Sequence, residues 1–210
     1  MITLAIDTSH HVAVGAARDG APGPQRIVRD ARAHVEQLMP SVTEVCAELG
    51  VRPTDVDQLV VGMGPGPYTG LRVGIATAAT LAAATGIPLA RVCSLDALAL
   101  LVDSEGEFLV ASDARRKELF WGRYLDGVRV GDPEVDRPAD LPRTPTYGDV
   151  PEEFRDQVEF AGPLELDPAL LAARFDELPA AVEEPFYLRA ADATVPGRPK
   201  PALPRLTVPR

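Results

Sequence analysis

Apolar and polar positions divide the start of the chain into short strands joined by tight turns. Residues 2–6 and residues 12–17 are apolar runs of the length that buried strands have. Asp19-Gly20 is a two-residue hairpin signal, and residues 26–30 can supply the strand that follows it. The pattern therefore predicts three consecutive strands at the beginning of the chain.

An amphipathic helix is predicted next, because apolar residues recur at steps of three and four residues between positions 35 and 49. Gly50 is typical of the residue that ends such a helix. Pro40 interrupts the pattern, since proline cannot donate the helical hydrogen bond. We therefore expect the regular helix to begin near residue 37 or to kink at Pro40.

A turn rich in glycine and proline, Gly62-Met-Gly-Pro-Gly-Pro-Tyr-Thr-Gly-Leu-Arg-Val-Gly74, follows a strand at residues 59–63 and opens a helix at residues 70–85. Such a run fixes a turn that brings its backbone close to another group. That group is either a phosphate at the amino end of the helix or a second helix packed on small residues. The helix carries almost no charge after Arg72, so we expect both of its faces to be covered.

A second unit repeats the order strand, aspartate, polar turn, strand, Asp-Gly turn and strand. Before it, a strand and a short helix with Ser94 as its N-cap complete the first unit. Residues 131–167 are rich in proline and acidic residues, which predicts an irregular lobe with only a few strand pieces. The elements named here are strand 89–92 and helix 95–102, then strand 108–112, Asp113, strand 118–125, Asp126-Gly127 and strand 128–130.

Composition narrows the classes of function. The 210 residues carry a net charge of −10, which makes the chain a poor binder of RNA on its own, because neutralising phosphates needs clustered lysine and arginine. Cys46 and Cys93 have no metal-site spacing and are predicted to be buried free thiols. A strand at residue 2 in place of a signal peptide, and the lack of an apolar run of about 18 residues, predict a cytoplasmic protein without membrane contact.

Side chains suited to catalysis are scarce in the sequence. His10 and His11 are adjacent and should point to opposite sides of an extended segment, so they cannot chelate a metal together. His34 is followed four residues later by Leu38 and not by a second histidine. The glycine turn lacks the Gly-Lys-Ser/Thr ending of a P-loop, and no Gly-x-Ser-x-Gly elbow occurs. We therefore predict no catalytic residue and no metal site.

Five motifs, taken together and in this order, resemble the TsaB (YeaZ) family. In the turn, Pro67-Tyr68 stands where that family usually has Ser-Phe, and Pro67 lacks the hydroxyl and the N–H of the usual residue. The motifs are Ala5-Ile-Asp-Thr-Ser9, His34-x-x-x-Leu38-x-Pro40, Gly64-Pro-Gly-Pro-Tyr-Thr-Gly-Leu-Arg-Val-Gly74, Ser112-Asp-Ala-Arg-Arg-Lys-Glu118 and Pro185-Phe-Tyr-Leu-Arg189.

The resemblance implies an α/β protein with the actin/Hsp70/sugar-kinase-like (ASKHA) fold, made of two related lobes with the second reduced. The boundaries expected from it are residues 1–104 for the lobe with the partner-binding helices, residues 105–192 for the reduced lobe and residues 193–210 for a Pro-rich tail. It also implies an accessory, non-catalytic role in making N6-threonylcarbamoyladenosine beside the tRNA anticodon. In that picture the chain binds the transferase TsaD, the ATPase TsaE joins the pair, the chain forms a homodimer when alone, and tRNA is held only through the complex. The alternative is an independent nucleotide-binding kinase or ATPase of the same superfamily.

Two sets of site residues follow from these considerations. Aspartates at equivalent strand ends orient Mg²⁺-bound phosphates in related kinases, but Thr8 and Ser9 after Asp7 favour local capping of the turn. Weak ATP or ADP binding with Mg²⁺ at a partner interface is therefore the minority interpretation, and no tightly bound cofactor is expected. The nucleotide set is Asp7, Thr8, Ser9, Thr69, Gly70, Arg72 and Asp113, and the partner-interface set is Leu38, Val42, Val45, Leu71, Gly74, Ile75, Ala78 and Ala82.

Overall fold

A five-stranded sheet forms the first lobe of the computed structural model, which describes residues 1–29, 34–181 and 183–189. Its strands are β1 (Ile2–Asp7), β2 (Val12–Arg18), β3 (Ala21–Val28), β4 (Gln58–Gly62) and β5 (Leu89–Val92). The spatial order is β3-β2-β1-β4-β5. Strands β1, β2 and β3 are antiparallel, whereas β4 and β5 run parallel to β1.

The second lobe repeats this sheet strand by strand. Its strands are β6 (Glu107–Asp113), β7 (Leu119–Leu125), β8 (Val128–Asp136), β9 (Pro145–Asp149) and β10 (Glu159–Gly162). The order β10-β9-β6-β7-β8 is that of the first sheet, with β6 in the place of β1, and the parallel and antiparallel pairs match as well. This duplication confirms the predicted ASKHA fold.

Crossover connections differ between the lobes. In the first lobe they are the helices α1 (His34–Glu48) and α2 (Tyr68–Thr85), and in the second they are reduced to 3₁₀ turns at Pro138–Asp140 and Glu152–Gln157. The second lobe is therefore the reduced one, as predicted.

The strand pieces predicted within residues 131–167 are present as the end of β8, β9 and β10, and the prolines of this region lie where a sheet tolerates them. Pro133 is in β8, which is an edge strand, and Pro145 is the first residue of β9. At such positions a missing N–H removes little from the ladder of hydrogen bonds. In a similar way α1 begins at His34, before the predicted start, and runs through the exposed Pro40.

Both hairpins form at the predicted dipeptides. Asp19 and Gly20 have φ values of 52° and 77°, and Asp126 and Gly127 have 50° and 80°. Two consecutive residues with positive φ match the twist of antiparallel strands and explain the Asp-Gly pairs. Because the first turn has only two residues, β3 starts at Ala21, five residues earlier than predicted.

The first sheet is covered on both faces. Leu4 and Ile6 of β1 face α1 and α2, whereas Ala5 between them faces α4 (Pro168–Arg174). Gly15 of β2 allows this close approach, because a Cβ there would lie 2.3 Å from the backbone of Pro168. Helix α4 follows the second sheet in the chain but packs on the first. The predicted domain boundaries stay predictions, and the tail at 193–210 lies outside the described residues.

Helix α3 (Ser94–Ala99) joins the two lobes. It is shorter than predicted, and its N-cap is Cys93 and not Ser94. Asp96 is buried and its Oδ1 accepts hydrogen bonds from Tyr124 Oη and Arg129 Nε, both at 2.8 Å. This cluster links the helix after the first sheet to strands β7 and β8 of the second.

Candidate functional site

The glycines of the Gly/Pro turn make room for the end of β1. A Cβ on Gly62 would lie 1.7 Å from Asp7 Oδ2, and one on Gly66 would lie 2.5 Å from the carbonyl oxygen of Ser9. Real Cβ atoms do not approach other heavy atoms this closely, so these positions require glycine. The group that the turn approaches is thus the chain's own Asp-Thr-Ser segment. The two predicted alternatives, a phosphate and a second helix of a partner, stay predictions.

Thr8 is inserted into the first turns of α2. Its Oγ1 donates to the carbonyl oxygen of Gly70 at 2.8 Å and accepts from the N–H of Gly74 at 3.1 Å. These are the two groups that a regular helix would join directly, since they are four residues apart. A Cβ on Gly74 would lie 2.3 Å from this hydroxyl. The hydroxyl therefore fixes the amino end of α2 to β1 and explains the last glycine of the motif.

Asp7 is buried and its carboxylate is occupied by the protein. Oδ1 accepts from the N–H of Ser9 at 2.7 Å and from Ser9 Oγ at 2.6 Å, and Oδ2 accepts from Ser94 Oγ at 2.5 Å. Ser94 also accepts from the N–H of Gly64 at 3.1 Å, so it ties the Gly/Pro turn to β1 and does not cap α3 as predicted. Only 1% of the surface of Asp7 is exposed, and its carboxylate stabilises the turn that follows β1.

Asp113 makes the matching turn in the second lobe. Its Oδ1 accepts from the N–H of Arg115 at 2.8 Å, two residues ahead, just as Asp7 accepts from Ser9. Its other oxygen, Oδ2, lies 3.0 Å from Nη1 of Arg115. Both predicted aspartates therefore cap local turns.

A cleft of about 360 Å³ opens between the two turns and α2. It is lined by Thr8, Ser9, Thr69, Gly70 and Asp113, which are five of the seven residues of the predicted nucleotide set. The other two are elsewhere: Asp7 is buried and lines a separate cavity with Ser94 and Asp149, and the Arg72 guanidinium stacks on the Tyr68 ring at 4.2 Å.

The charges at this cleft nearly cancel. Arg115 is the cation among the lining residues, and it already pairs with Asp113. The lining therefore offers little net positive charge to an anion.

The two histidines of the first turn lie against each other, contrary to prediction. Their ring centroids are 4.2 Å apart at 62°, because residues 10 and 11 precede β2 and belong to a turn. His10 Nε2 lies 3.2 Å from Asp149 Oδ2. Burial lowers the pKa of His11, with the nearby His10 adding to the effect. Among the described side chains, no group of three or more His, Cys, Asp or Glu is placed to hold a metal ion.

Both cysteines are buried free thiols, as predicted. Burial raises the pKa of Cys46 to about 11 and that of Cys93 to about 12. Neither thiol is therefore a ready nucleophile at neutral pH. Within the described ranges, no helix is long and apolar enough to cross a bilayer.

The predicted partner-interface set belongs mostly to the core. An amphipathic helix turns its apolar stripe toward its own sheet, and this stripe is what the three- and four-residue steps identified. The half-buried Ile75 and Ala82 also pack against this core. The six residues that are buried, and so cannot contact a partner, are Leu38, Val42, Val45, Leu71, Gly74 and Ala78.

The outward face of α2 is weakly charged, whereas α1 exposes Glu36, Glu44 and Glu48 as well as apolar residues. Val35 and Met39 of α1 are 73% and 44% exposed, although both are large apolar residues. Val35 shares a shallow depression with Arg72 and Ala76 of α2. We call the exposed residues Val35, Met39, Arg72, Ala76 and Thr80 the helix-pair patch. The sequence signal for it was available, because the outward positions of α2 are alanine and threonine where a solvated helix carries charge.

Comparison with known proteins identifies the family. The family model TsaD, tRNA N6-adenosine threonylcarbamoyltransferase, matches residues 28–163. The tRNA threonylcarbamoyladenosine biosynthesis protein TsaB of Bacillus subtilis is 34% identical over 126 residues, which are 59% of this chain and 55% of that protein. The chain belongs to the TsaB (YeaZ) family.

Other relatives of this TsaB-family chain support the same placement. An uncharacterised protein of Mycobacterium leprae is 47% identical over 67% of this chain, which covers only 40% of that protein. The crystal structure of YeaZ from Pseudomonas aeruginosa is 25% identical, with a TM-score of 0.66 over 84% of this chain and 92% of that one.

The motifs that resemble TsaB meet around the cleft. Phe186 in the last motif donates its N–H to the carbonyl oxygen of Met63 at 2.9 Å, beside the Gly/Pro turn. Arg189 of the same motif donates to the carbonyl oxygen of Ala114 in the turn of the second lobe. The last motif therefore contacts both the Gly/Pro turn of the first lobe and the turn after Asp113 in the second lobe.

Proposed function

We propose that this chain acts in the biosynthesis of tRNA N6-threonylcarbamoyladenosine as an accessory subunit that activates the transferase TsaD. Family membership supports the pathway, because the TsaB relatives carry it in their names. The observation that supports a scaffold role is the helix-pair patch. An apolar, weakly charged surface of two packed helices is suited to binding a protein partner.

The buried state of Asp7 favours an accessory role over catalysis. Both oxygens of its carboxylate already accept hydrogen bonds from serines of the same chain. Freeing it to orient a Mg²⁺-bound phosphate would leave those donors unpaired in a buried site, which costs free energy.

An arginine at Ala76 tests the helix-pair patch. Ala76 is exposed, so Ala76→Arg should leave the monomer folded, whereas an arginine at the buried Ala78 would disrupt the core. Burying an unpaired charge costs about 3 kcal/mol, so the Kd for the TsaD of the same cell should rise roughly 100-fold in calorimetry.

The matched control is Ala139→Arg, which places the same side chain at an exposed alanine of the second lobe. It should leave the Kd unchanged. Equal loss of binding in both variants, or in neither, would contradict the assignment of the patch. Threonylcarbamoyl transfer by TsaD, assayed with and without this chain, tests the activating role itself.

TsaE is proposed to join the pair, and two copies of the chain are proposed to associate through the same patch when TsaD is absent. Sedimentation of the wild type and of Ala76→Arg at equal concentration tests the second point. A dimer that persists in the variant would place the contact elsewhere.

A second candidate function, independent nucleotide binding, is favoured by the cleft that gathers Thr8, Ser9, Thr69, Gly70 and Asp113. Val35 and Val73 line both this cleft and the depression of the helix-pair patch. ATP or ADP with Mg²⁺ would then be held weakly where the partner covers the cleft. Titration of the free chain with ATP and Mg²⁺ separates the candidates, since tight binding with hydrolysis favours an independent enzyme.

A further inference from the structure

Three consecutive cationic residues stand in a left-handed turn between β6 and β7. Arg115, Arg116 and Lys117 have φ values of 61°, 55° and 63°, a conformation that residues other than Gly, Asn and Asp rarely adopt. The surrounding bonds enforce it: the N–H of Ala114 donates to the carbonyl oxygen of Glu118 at 3.0 Å, and the N–H of Glu118 donates to that of Arg115 at 3.1 Å. All three cationic residues are exposed. Enforced backbone strain of this kind is concentrated at functional sites.

A fourth cation and an aromatic pair adjoin this turn. Arg189 forms an ion pair with Glu118 and hydrogen bonds to the carbonyl oxygen of Ala114. Two residues earlier, the Tyr187 ring lies 4.8 Å from the Tyr68 ring, over which Arg72 is stacked. Tyr187 is 37% exposed. We name this surface the basic-aromatic rim, and its residues are Tyr68, Arg72, Arg115, Arg116, Lys117, Tyr187 and Arg189.

The charge of the rim opposes that of the protein. Five cationic residues cluster there in a chain whose net charge is −10, with Arg115 paired to Asp113 and Arg189 paired to Glu118. Clustered arginine and lysine neutralise RNA phosphates, and exposed aromatic rings stack on unpaired bases. The rim also shares Arg72 with the helix-pair patch. RNA held by a partner bound to the helix-pair patch would therefore lie close to the rim.

We propose that the basic-aromatic rim contacts the substrate RNA, with Arg115 and Lys117 on phosphates and Tyr187 against an unpaired base of a loop. This inference rests on the proposed function, which supplies the RNA substrate and the partner. The net negative charge of the chain explains why the rim would act only within the complex, where the partner holds most of the RNA.

The test measures tRNA affinity of the complete complex with TsaD as a function of salt. Each lost phosphate contact lowers the slope of log K against log salt by about 0.7–0.9. The double variant Arg115→Gln, Lys117→Gln should therefore lower the slope by roughly 1.5 and raise the Kd for tRNA about tenfold at 0.1 M salt. The matched control, Arg137→Gln with Arg143→Gln, removes the same charge from exposed positions of the second lobe and should change neither value.

Tyr187→Leu separates stacking from charge. It should weaken binding of an anticodon stem-loop about tenfold while leaving the salt slope unchanged. Equal slopes in the rim and control doubles would overturn the proposal, because net charge alone would then explain the effect. A rim variant that loses TsaD and keeps the salt slope of RNA binding would show a protein contact instead. Failure of the wild-type chain to bind TsaD, or of the wild-type complex to bind tRNA, would refute the proposed function before any rim variant is compared.

Discussion

The same tight turn occurs once in each lobe, and its surroundings differ. Asp7 and Asp113 each accept a hydrogen bond from the N–H two residues ahead, at 2.7 and 2.8 Å. The first turn is covered by α2 and by the Gly/Pro turn that precedes it, and glycines of β4, of the Gly/Pro turn and of α2 make room for it. The second has no crossover helix above it, and it presents Arg115, Arg116 and Lys117 to solvent.

The difference shows how duplicated lobes divide their work. Thr8 follows the first aspartate and holds α2, whereas Ala114 occupies the same place in the second lobe, which has no such helix to hold. The hydrogen bond that the two turns share is thus structural. The residues that differ between the turns match their surroundings: Thr8 bonds to α2, whereas the second turn carries cationic residues that face solvent.

The largest effect is expected at Gly62, where the first turn meets β4. Gly62→Ala places a Cβ 1.7 Å from Asp7 Oδ2 and should destabilise the protein by at least about 3 kcal/mol, or prevent folding. Gly162→Ala is the matched control, because its Cβ would lie 3.8 Å from the nearest atom. Urea unfolding should show a change within about 0.5 kcal/mol for the control. Similar midpoints for the two variants would contradict the close packing described here.

Removing each aspartate in turn tests the comparison directly. Asp7→Ala leaves the Ser9 and Ser94 donors unpaired in a buried site and should cost about 2–4 kcal/mol. Asp113→Ala removes one turn bond and a partly exposed ion pair, and should cost about 0.5–1 kcal/mol. Equal costs, measured by chemical denaturation, would show that the covering helix contributes nothing to the turn.

Thr8→Val keeps the shape of the side chain but removes its two hydrogen bonds to α2. The buried carbonyl of Gly70 and N–H of Gly74 then lose their partner, so we expect a loss of about 1–3 kcal/mol in unfolding free energy. Thr43→Val removes an exposed hydroxyl that bonds the carbonyl of Met39, and should cost less than about 0.5 kcal/mol. If the loss at Thr8 were no larger than that at Thr43, the Thr8 hydroxyl would not fix the amino end of α2 to β1.

The smallest effect concerns pH and the junction between the lobes. Burial raises the pKa of Asp96 above its ordinary value of 3.8, against the opposing influence of Tyr124 and Arg129. The native state then keeps this proton to higher pH than the unfolded chain, so stability falls as pH rises from about 4 toward the native pKa. Asp96→Asn does not titrate. The unfolding free energy of wild type minus that of the variant should therefore decrease over this range, and an increase would reverse the assigned direction.

Local chemistry made much of the fold predictable. The Asp-Gly hairpins and the order of elements in both units depend on neighbouring residues alone, and the structure reproduces them. Strand pieces were predicted within the Pro-rich residues 131–167, but their place in a regular five-stranded sheet was not, because whether a proline is tolerated depends on which strand lies at an edge. Strand order is a tertiary property that one sequence does not display.

The candidate site was predicted less well, for a related reason. Helical periodicity marks residues such as Val42 and Val45 that face the chain's own core. The proposed partner surface is marked only by the lack of charge at positions such as Ala76 and Thr80, which does not identify what covers it. The glycines of the turn correctly predicted that another group lies close to its backbone. They could not say that the neighbour is Asp7–Ser9, more than fifty residues earlier in the chain.

Helix α4 has a consequence for the order in which the protein can be completed. It covers the face of the first sheet that holds Ala5 and Val60, yet it is made after the whole second sheet. A ribosome adds about 5–20 residues per second, so this apolar face stays exposed for several seconds before α4 is synthesised. The first lobe cannot finish folding until α4 has been made, and over that interval its open face is a ready substrate for chaperones.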